Sequence, residues 1–294
     1  MQCFEDSPVL NQLDREAFKF KHKLMGHPAL SLENLQRVIP SLPKERVMYS
    51  KAMLHKGDDF EATFKQRPAD RTIEETIESI RVSEGYVMVQ SPEIDPSFAP
   101  LHRELLADVQ TLMRRRGVGT EAIDPQLYLF IASPNAVTPF HIDRYSTFLM
   151  QFRGSKEVTV FPQWDERVVP SVSREAYVAY ANSRLAWSPQ ADALGTRYQF
   201  APGEAIHIPF VAGHHVRNGG DDVSISMSII FNTAQSMAWR RALSFNHASR
   251  RVLGRFRIAP VPVGRSPLRD SAKARIWGAV AKVKSARALI SASA

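Results

Sequence analysis

A single cysteine, Cys3, stands among 294 residues, which excludes an internal disulfide and any Cys-rich zinc site. That scarcity fits a reducing compartment. No apolar stretch approaches the ~20 residues that cross a bilayer, so no membrane span is expected. The opening MQCFEDSPVL lacks a basic start followed by an apolar run, so no secretory signal is expected and the expected setting is the cytoplasm. There is no Gly-rich phosphate loop and no nucleophile elbow around any serine, which sets aside those two chemistries. Internal repeats and low-complexity stretches are absent too.

Acidic residues are nearly missing from the last fifth. From Met237 to Ala294 there are 13 Lys+Arg against one acid, Asp270, a net of +12. The preceding 236 residues hold 25 basic and 29 acidic residues, a net of −4. The basic character therefore belongs to the tail, where a solvated helical surface is the expected reading and nucleic acid is not the expected partner. What remains is ordinary: 44% hydrophobic and 23% charged residues, as in a soluble globular chain.

Periodicity divides the chain into three. Residues 1–120 read as an α/β region, 121–235 as an all-β core and 236–294 as a basic, mainly helical segment. In the first, Ser31 caps a helix over Leu32–Ile39, ended by Pro40 and Pro43. Arg46–Ser50 and Tyr86–Gln90 read as strands, and Thr72–Ile80 as a helix. A helix over Pro100–Arg116 places Leu101, Leu105, Val109 and Leu112 on one face and stops at Gly117. From Gln126 the period becomes two. Leu127–Ala132, Thr138–Ile142, Thr147–Phe152, Glu157–Phe161, Arg197–Phe200, Ala205–Pro209, His214–Arg217 and Val223–Phe231 read as strands. A short helix near Glu175–Asn182 interrupts them. About eight short strands in ~105 residues suggest a closed or double-sheet β core. A basic helix over Ser271–Ile290 is expected in the tail.

The chemistry-bearing stretch is TPFHIDRYSTFLMQFRGSKEVTVF, residues 138–161. Its His-x-Asp pair, His141 and Asp143, would point to the same face of a strand and reach one metal ion. A third ligand from a distant strand would complete a 2-His-1-carboxylate triad with open positions, the arrangement of non-haem Fe(II) oxygenases. The later stretch IPFVAGHHV offers His214 or His215, and a one-residue change of register exchanges them. His207 reads as structural. Arg144, Tyr145 and Trp164 are candidates for lining a substrate mouth.

These residues resemble the JmjC-like, or cupin-like, family of Fe(II)/2-oxoglutarate-dependent oxygenases. The matching features are Thr138-Pro-Phe-His141-Ile-Asp143, Gly154-Ser-Lys156, Pro209-Phe-Val-Ala-Gly-His214-His-Val216-Arg-Asn218 and the alternating Ser224, Ser226 and Ser228. The resemblance spans roughly 125–232. It implies a mainly β double-stranded β-helix, a jelly roll, with N-terminal α/β and C-terminal helical additions. It implies Fe(II) held by His141, Asp143 and His214, the distal ligand being the His of a Pro-(four residues)-His-x-Val pattern. It implies 2-oxoglutarate bound by Lys156 and Thr138, with Tyr128 completing the pocket. Many oxygenases place an Arg about ten residues after the distal His; Ser224 stands there, which leaves the co-substrate cation to Lys156. The implied activity is hydroxylation of a small-molecule or peptidyl substrate, and a homodimer through the C-terminal helices is the implied partner. A metal-binding cupin with a sensor or regulatory role and no turnover is the alternative.

Overall fold

The computed structural model describes residues 1–50, 54–59, 75, 79–80, 85–182 and 184–292. Two antiparallel sheets face each other. The larger has the order β1(Phe18–Lys21), β9(Glu204–Ile208), β6(Ser146–Arg153), β11(Ser224–Asn232), β4(Ile123–Ala132), β3(Tyr86–Gln90) and β2(Val47–Ser50). The smaller has the order β5(Val137–His141), β10(His214–Asn218), β7(Lys156–Val160) and β8(Thr196–Phe200). Strands distant in sequence interleave in both sheets, as a double-stranded β-helix requires. β1 is a strand that periodicity missed, because four residues alternate too briefly to register.

β11, the central strand of the large sheet, is buried throughout, and the two faces of the sheet have different roles. On β11, Ile225, Met227, Ile229 and Phe231 enter a core shared with the helices. The alternate residues Ser226, Ser228 and Ile230 line the cavity between the sheets. β4 divides the same way, with Leu127, Leu129 and Ile131 outward and Tyr128 and Phe130 inward. A slip of one residue would exchange serines for core aliphatics, so burial sets the register strongly.

That outer core is closed by α2(Ala99–Arg116), whose Leu101, Leu105, Val109 and Leu112 are buried as the 3.6-residue spacing predicts. Burying each such side chain contributes roughly 1.5–3 kcal/mol. Gly117 ends the helix at φ 71°, donating to the Arg114 and Met113 carbonyls, while Arg114–Arg116 face the negative end of the dipole. Asp108, buried on this helix, accepts the backbone N–H groups of Gln2, Cys3 and Phe4, tying the N-terminus to the sheet's helical cover.

α1(Leu32–Ser41) begins where Ser31 accepts the Asn34 N–H, with Pro40 in its last turn. The helix expected over Thr72–Ile80 lies outside the described residues except for Glu75, Ser79 and Ile80. The helix expected near Glu175 begins earlier, as α3(Ser171–Val178), with Pro170 at its N-cap. Thr233 and Ser236 form a reciprocal capping box that opens α4(Ala234–Leu253). α5(Pro267–Ala292) starts four residues before the expected Ser271 and packs along α4. Glu175 of α3, fully buried, binds Asn246 and Arg250 of α4 and fastens this C-terminal layer to the small-sheet side. No helix among the described residues is long and apolar enough to cross a membrane.

Candidate metal centre

His141, Asp143 and His214 converge at one end of the inter-sheet cavity, their ligating atoms all within 4.8 Å of one another. His141 and His214 are direct cross-strand partners on β5 and β10, and their ring centroids lie 4.1 Å apart. Each ring is set by its own backbone: Nδ1 of His141 meets the Pro139 carbonyl at 2.7 Å, and Nδ1 of His214 meets the Ala212 carbonyl at 3.0 Å. A carbonyl can only accept, so both Nδ1 atoms donate, and a ring in its neutral form then keeps its lone pair on Nε2. Those Nε2 atoms face Asp143, at 3.9 Å from Oδ1 and 3.7 Å from Oδ2. Thr147 donates to Oδ2 at 3.2 Å and steadies the carboxylate. Burial, then the neighbouring His214, pushes the His141 imidazole down to about 4, so it is neutral near pH 7. Two imidazoles and a carboxylate are a donor set suited to a divalent first-row metal.

The close approach of β5 to β10 depends on Gly213. A Cβ there would lie 2.8–2.9 Å from the Phe140 ring. The backbone of Asp143 is held in turn, its carbonyl accepting the Val211 N–H at 3.0 Å.

The alternation of β10 separates the two adjacent histidines. His214 enters the cavity. His215 faces the outer side of the small sheet, where Nε2 meets Asp192 at 3.0 Å and the ring packs against Trp187 and Phe161. Lys56 completes that outer cluster with a 2.9 Å ion pair to Asp192. His207 also points away from the cavity, toward Phe18 and Phe148. His22 is bound to the Gln151 carbonyl, and His27 accepts a backbone N–H in its own turn. Neither belongs to the triad.

The cavity has a volume of about 240 Å³. Lys156 enters its wall from the start of β7 and is 5% exposed. Its Nζ donates to Asn218 Oδ1 at 2.7 Å, and among the described residues no carboxylate pairs with it. Burial alone pushes its amine down to about 7. Thr138 and Tyr86 share a hydrogen bond of 3.3 Å in the same wall, and burial raises the Tyr86 phenol to about 12, so it stays protonated. Tyr128 lines the cavity as well, stacked on Phe130, with its phenol also raised by burial. Ser226 Oγ is buried there, and among the described residues it has no hydrogen-bond partner. The buried Lys156 amine, the hydroxyl groups of Thr138, Tyr86 and Tyr128, and Ser226 make a wall ready for a polar ligand.

Sequence reasoning missed Tyr86 and Asn218. Tyr86 could have been found as a tyrosine on an inward-reading strand, but nothing in the chain between them links it to Thr138. At the mouth stand Arg144, Tyr145 and Tyr177. The Arg144 guanidinium lies 3.9 Å from the Tyr177 ring centroid and 4.1 Å from that of Tyr180, and donates to the Tyr177 carbonyl. Trp164, by contrast, does not line the cavity. It packs edge-on against Trp239 and under Arg174, because the turn after β7 carries it to the helical layer.

With this geometry in view, the chain's relatives are informative. Residues 32–237 match the cupin-like domain family, and the chain belongs to that family. Among solved structures, the Escherichia coli ribosomal oxygenase YcfD is similar at 13% identity and a TM-score of 0.47, over 94% of this chain and 66% of that one. Oxalate decarboxylase from Lactobacillus farciminis, in its formate complex, is similar at 20% identity and a TM-score of 0.26, over 37% of this chain. Bacillus subtilis oxalate decarboxylase is similar at 17% identity and the same TM-score. The chain spans about a quarter or less of the length of these decarboxylases. No curated protein matches it by sequence.

Proposed function

We propose that this cupin-like protein is an Fe(II)- and 2-oxoglutarate-dependent oxygenase, a hydroxylase acting on a small-molecule or peptidyl substrate. The carrying observation is Lys156: a buried ammonium without a carboxylate partner among the described residues, in the same cavity as His141, Asp143 and His214. A metal site alone does not require that cation. Placing an uncompensated charge in a buried wall is costly unless a ligand of opposite charge completes it.

The residues suit both groups. His141, Asp143 and His214 would hold the iron, leaving positions open. Lys156 would bind the far carboxylate of 2-oxoglutarate, with hydroxyl donation from Thr138 and Tyr86; Tyr128 and Ser226 are neighbours of that pocket. When bound, iron and 2-oxoglutarate supply oxidation of a substrate C–H bond by dioxygen, coupled to decarboxylation of 2-oxoglutarate to succinate. The chain contributes orientation and dryness. Leu149, Ile208, Val216 and Ile230 exclude water from the cavity, which strengthens the charge interactions inside it. Thr147 keeps the Asp143 carboxylate in place. Arg144, Tyr145 and Tyr177 offer the substrate aromatic faces and a guanidinium at the entrance.

The test is release of succinate from 2-oxoglutarate by purified protein with Fe(II), and its loss in His141→Ala. Turnover that persists in that variant sinks the proposal. The alternative, a metal-binding cupin without turnover, predicts bound metal, no affinity for 2-oxoglutarate and indifference to Lys156→Met.

A further inference from the structure

Lys156 begins β7, and Asn218 is its direct cross-strand partner at the end of β10. Both are buried, at 5% and 4% exposure. The Asn218 amide is fixed at each end. Nδ2 donates to the Ser133 carbonyl at 3.0 Å, which leaves Oδ1 to accept from Lys156 Nζ at 2.7 Å. Flipping the amide would set an NH₂ group against an ammonium, donor against donor, so the orientation is determined. The backbone of Asn218 is held too, its N–H donating to the Ala136 carbonyl at 2.9 Å. Ser133 is anchored in turn through its hydroxyl to the Ile80 and Gly85 carbonyls. A rigid turn therefore holds one amide, and that amide holds the lysine.

The choice of an amide matters. A neutral oxygen accepts one N–H of the ammonium and favours its charged form, yet leaves the charge uncompensated. An aspartate of the same shape would form an internal ion pair and occupy the cation. We infer that Asn218 is a positioning residue that aims Lys156 into the cavity as an unneutralised cation, and thereby gives the pocket its preference for a dicarboxylate co-substrate. The inference rests on the 2-oxoglutarate reading above.

The experiment uses the full chain loaded with Mn(II), titrated calorimetrically with 2-oxoglutarate, with Mn(II) affinity measured separately on each variant. Asn218→Asp is expected to weaken 2-oxoglutarate by about 30- to 100-fold, since a charge-assisted contact is replaced by an internal pair. Mn(II) affinity should stay within about twofold, because Asn218 does not touch the triad. Asn218→Ser, too short to bridge Ser133 and Lys156, should weaken 2-oxoglutarate by about tenfold and decides the matter if the aspartate variant does not fold. Binding by both variants within about threefold of the parent, while Lys156→Met abolishes it, overturns the role of Asn218 alone. Failure of the parent protein itself to bind 2-oxoglutarate overturns the underlying reading and this inference with it.

Discussion

Thr138 and His141 stand three residues apart on β5, yet both face the same cavity. Regular alternation would put them on opposite faces. The ladder to β10 explains the difference: His214 pairs with His141 but Val216 pairs with Thr138, so β5 carries one extra residue between the two. That bulge turns His141 inward without moving Thr138 outward, and places a hydroxyl and a ligand in one wall.

The two adjacent histidines should separate cleanly on mutation. His214→Ala is expected to weaken binding of a divalent metal by more than about 100-fold, as it removes a ligand outright. His215→Gln should retain the metal and instead lose about 1–3 kcal/mol of stability, from the severed Asp192 contact. Metal titration and chemical denaturation of both variants check this. Metal loss confined to His215→Gln would reverse the assignment.

Lys156→Met should abolish 2-oxoglutarate binding while leaving metal binding intact. The metal-free variant should be as stable as the parent or more so, because a buried amine with no carboxylate partner among the described residues is replaced by an apolar chain of similar length. The pH dependence follows from the amine being held near 7 in the fold against about 10.5 when unfolded. Between those values the unfolded chain binds the extra proton, so parent stability rises with pH across about 7 to 10.5, by about 5 kcal/mol at most. Denaturation midpoints of Lys156→Met should lack that component of the slope.

His207 predicts a second window on the acid side. Its Nδ1 donates to the Thr147 carbonyl and its Nε2 accepts the Asp14 N–H, so both nitrogens are committed to the neutral form. Burial pushes it down to about 4. Below about 6.5 the unfolded chain takes up a proton that the fold refuses, so stability falls as pH drops from 6.5 to 4, by about 3 kcal/mol. His207→Gln should be less stable at pH 7 and should show a shallower decline over that interval in urea titrations.

Gly213→Ala places a methyl against the Phe140 ring and should push β10 from β5. The expected cost is about 1–3 kcal/mol, with weakened metal binding because His141 and His214 sit across that ladder. Phe140→Leu in the same chain should restore part of the metal affinity, a coupling that a double-mutant cycle measures. Purely additive losses would place the clash elsewhere.

Much of this protein was legible in its sequence because much of it is local. Helical spacing in 100–116 specifies which face of α2 is buried, and Gly117 marks its end. Alternation after Gln126 specifies which residues share a face, including the serines of β11, whereas the register that turns His214 rather than His215 inward came from the pairing of β10 with β5 and β7. His141, Asp143, Lys156 and Thr138 were visible as residues of the right chemistry. Their grouping depended on contacts that no local period encodes. The bulge in β5 exists only through pairing with β10, some seventy residues later. Tyr86 meets Thr138 across 52 positions, and Asn218 reaches Lys156 across 62. A side chain's face follows from its own backbone, but its partner follows from strand register and sheet order. Those are settled when the two sheets bury their shared faces, and so the tertiary structure alone decided what surrounds the Lys156 cation.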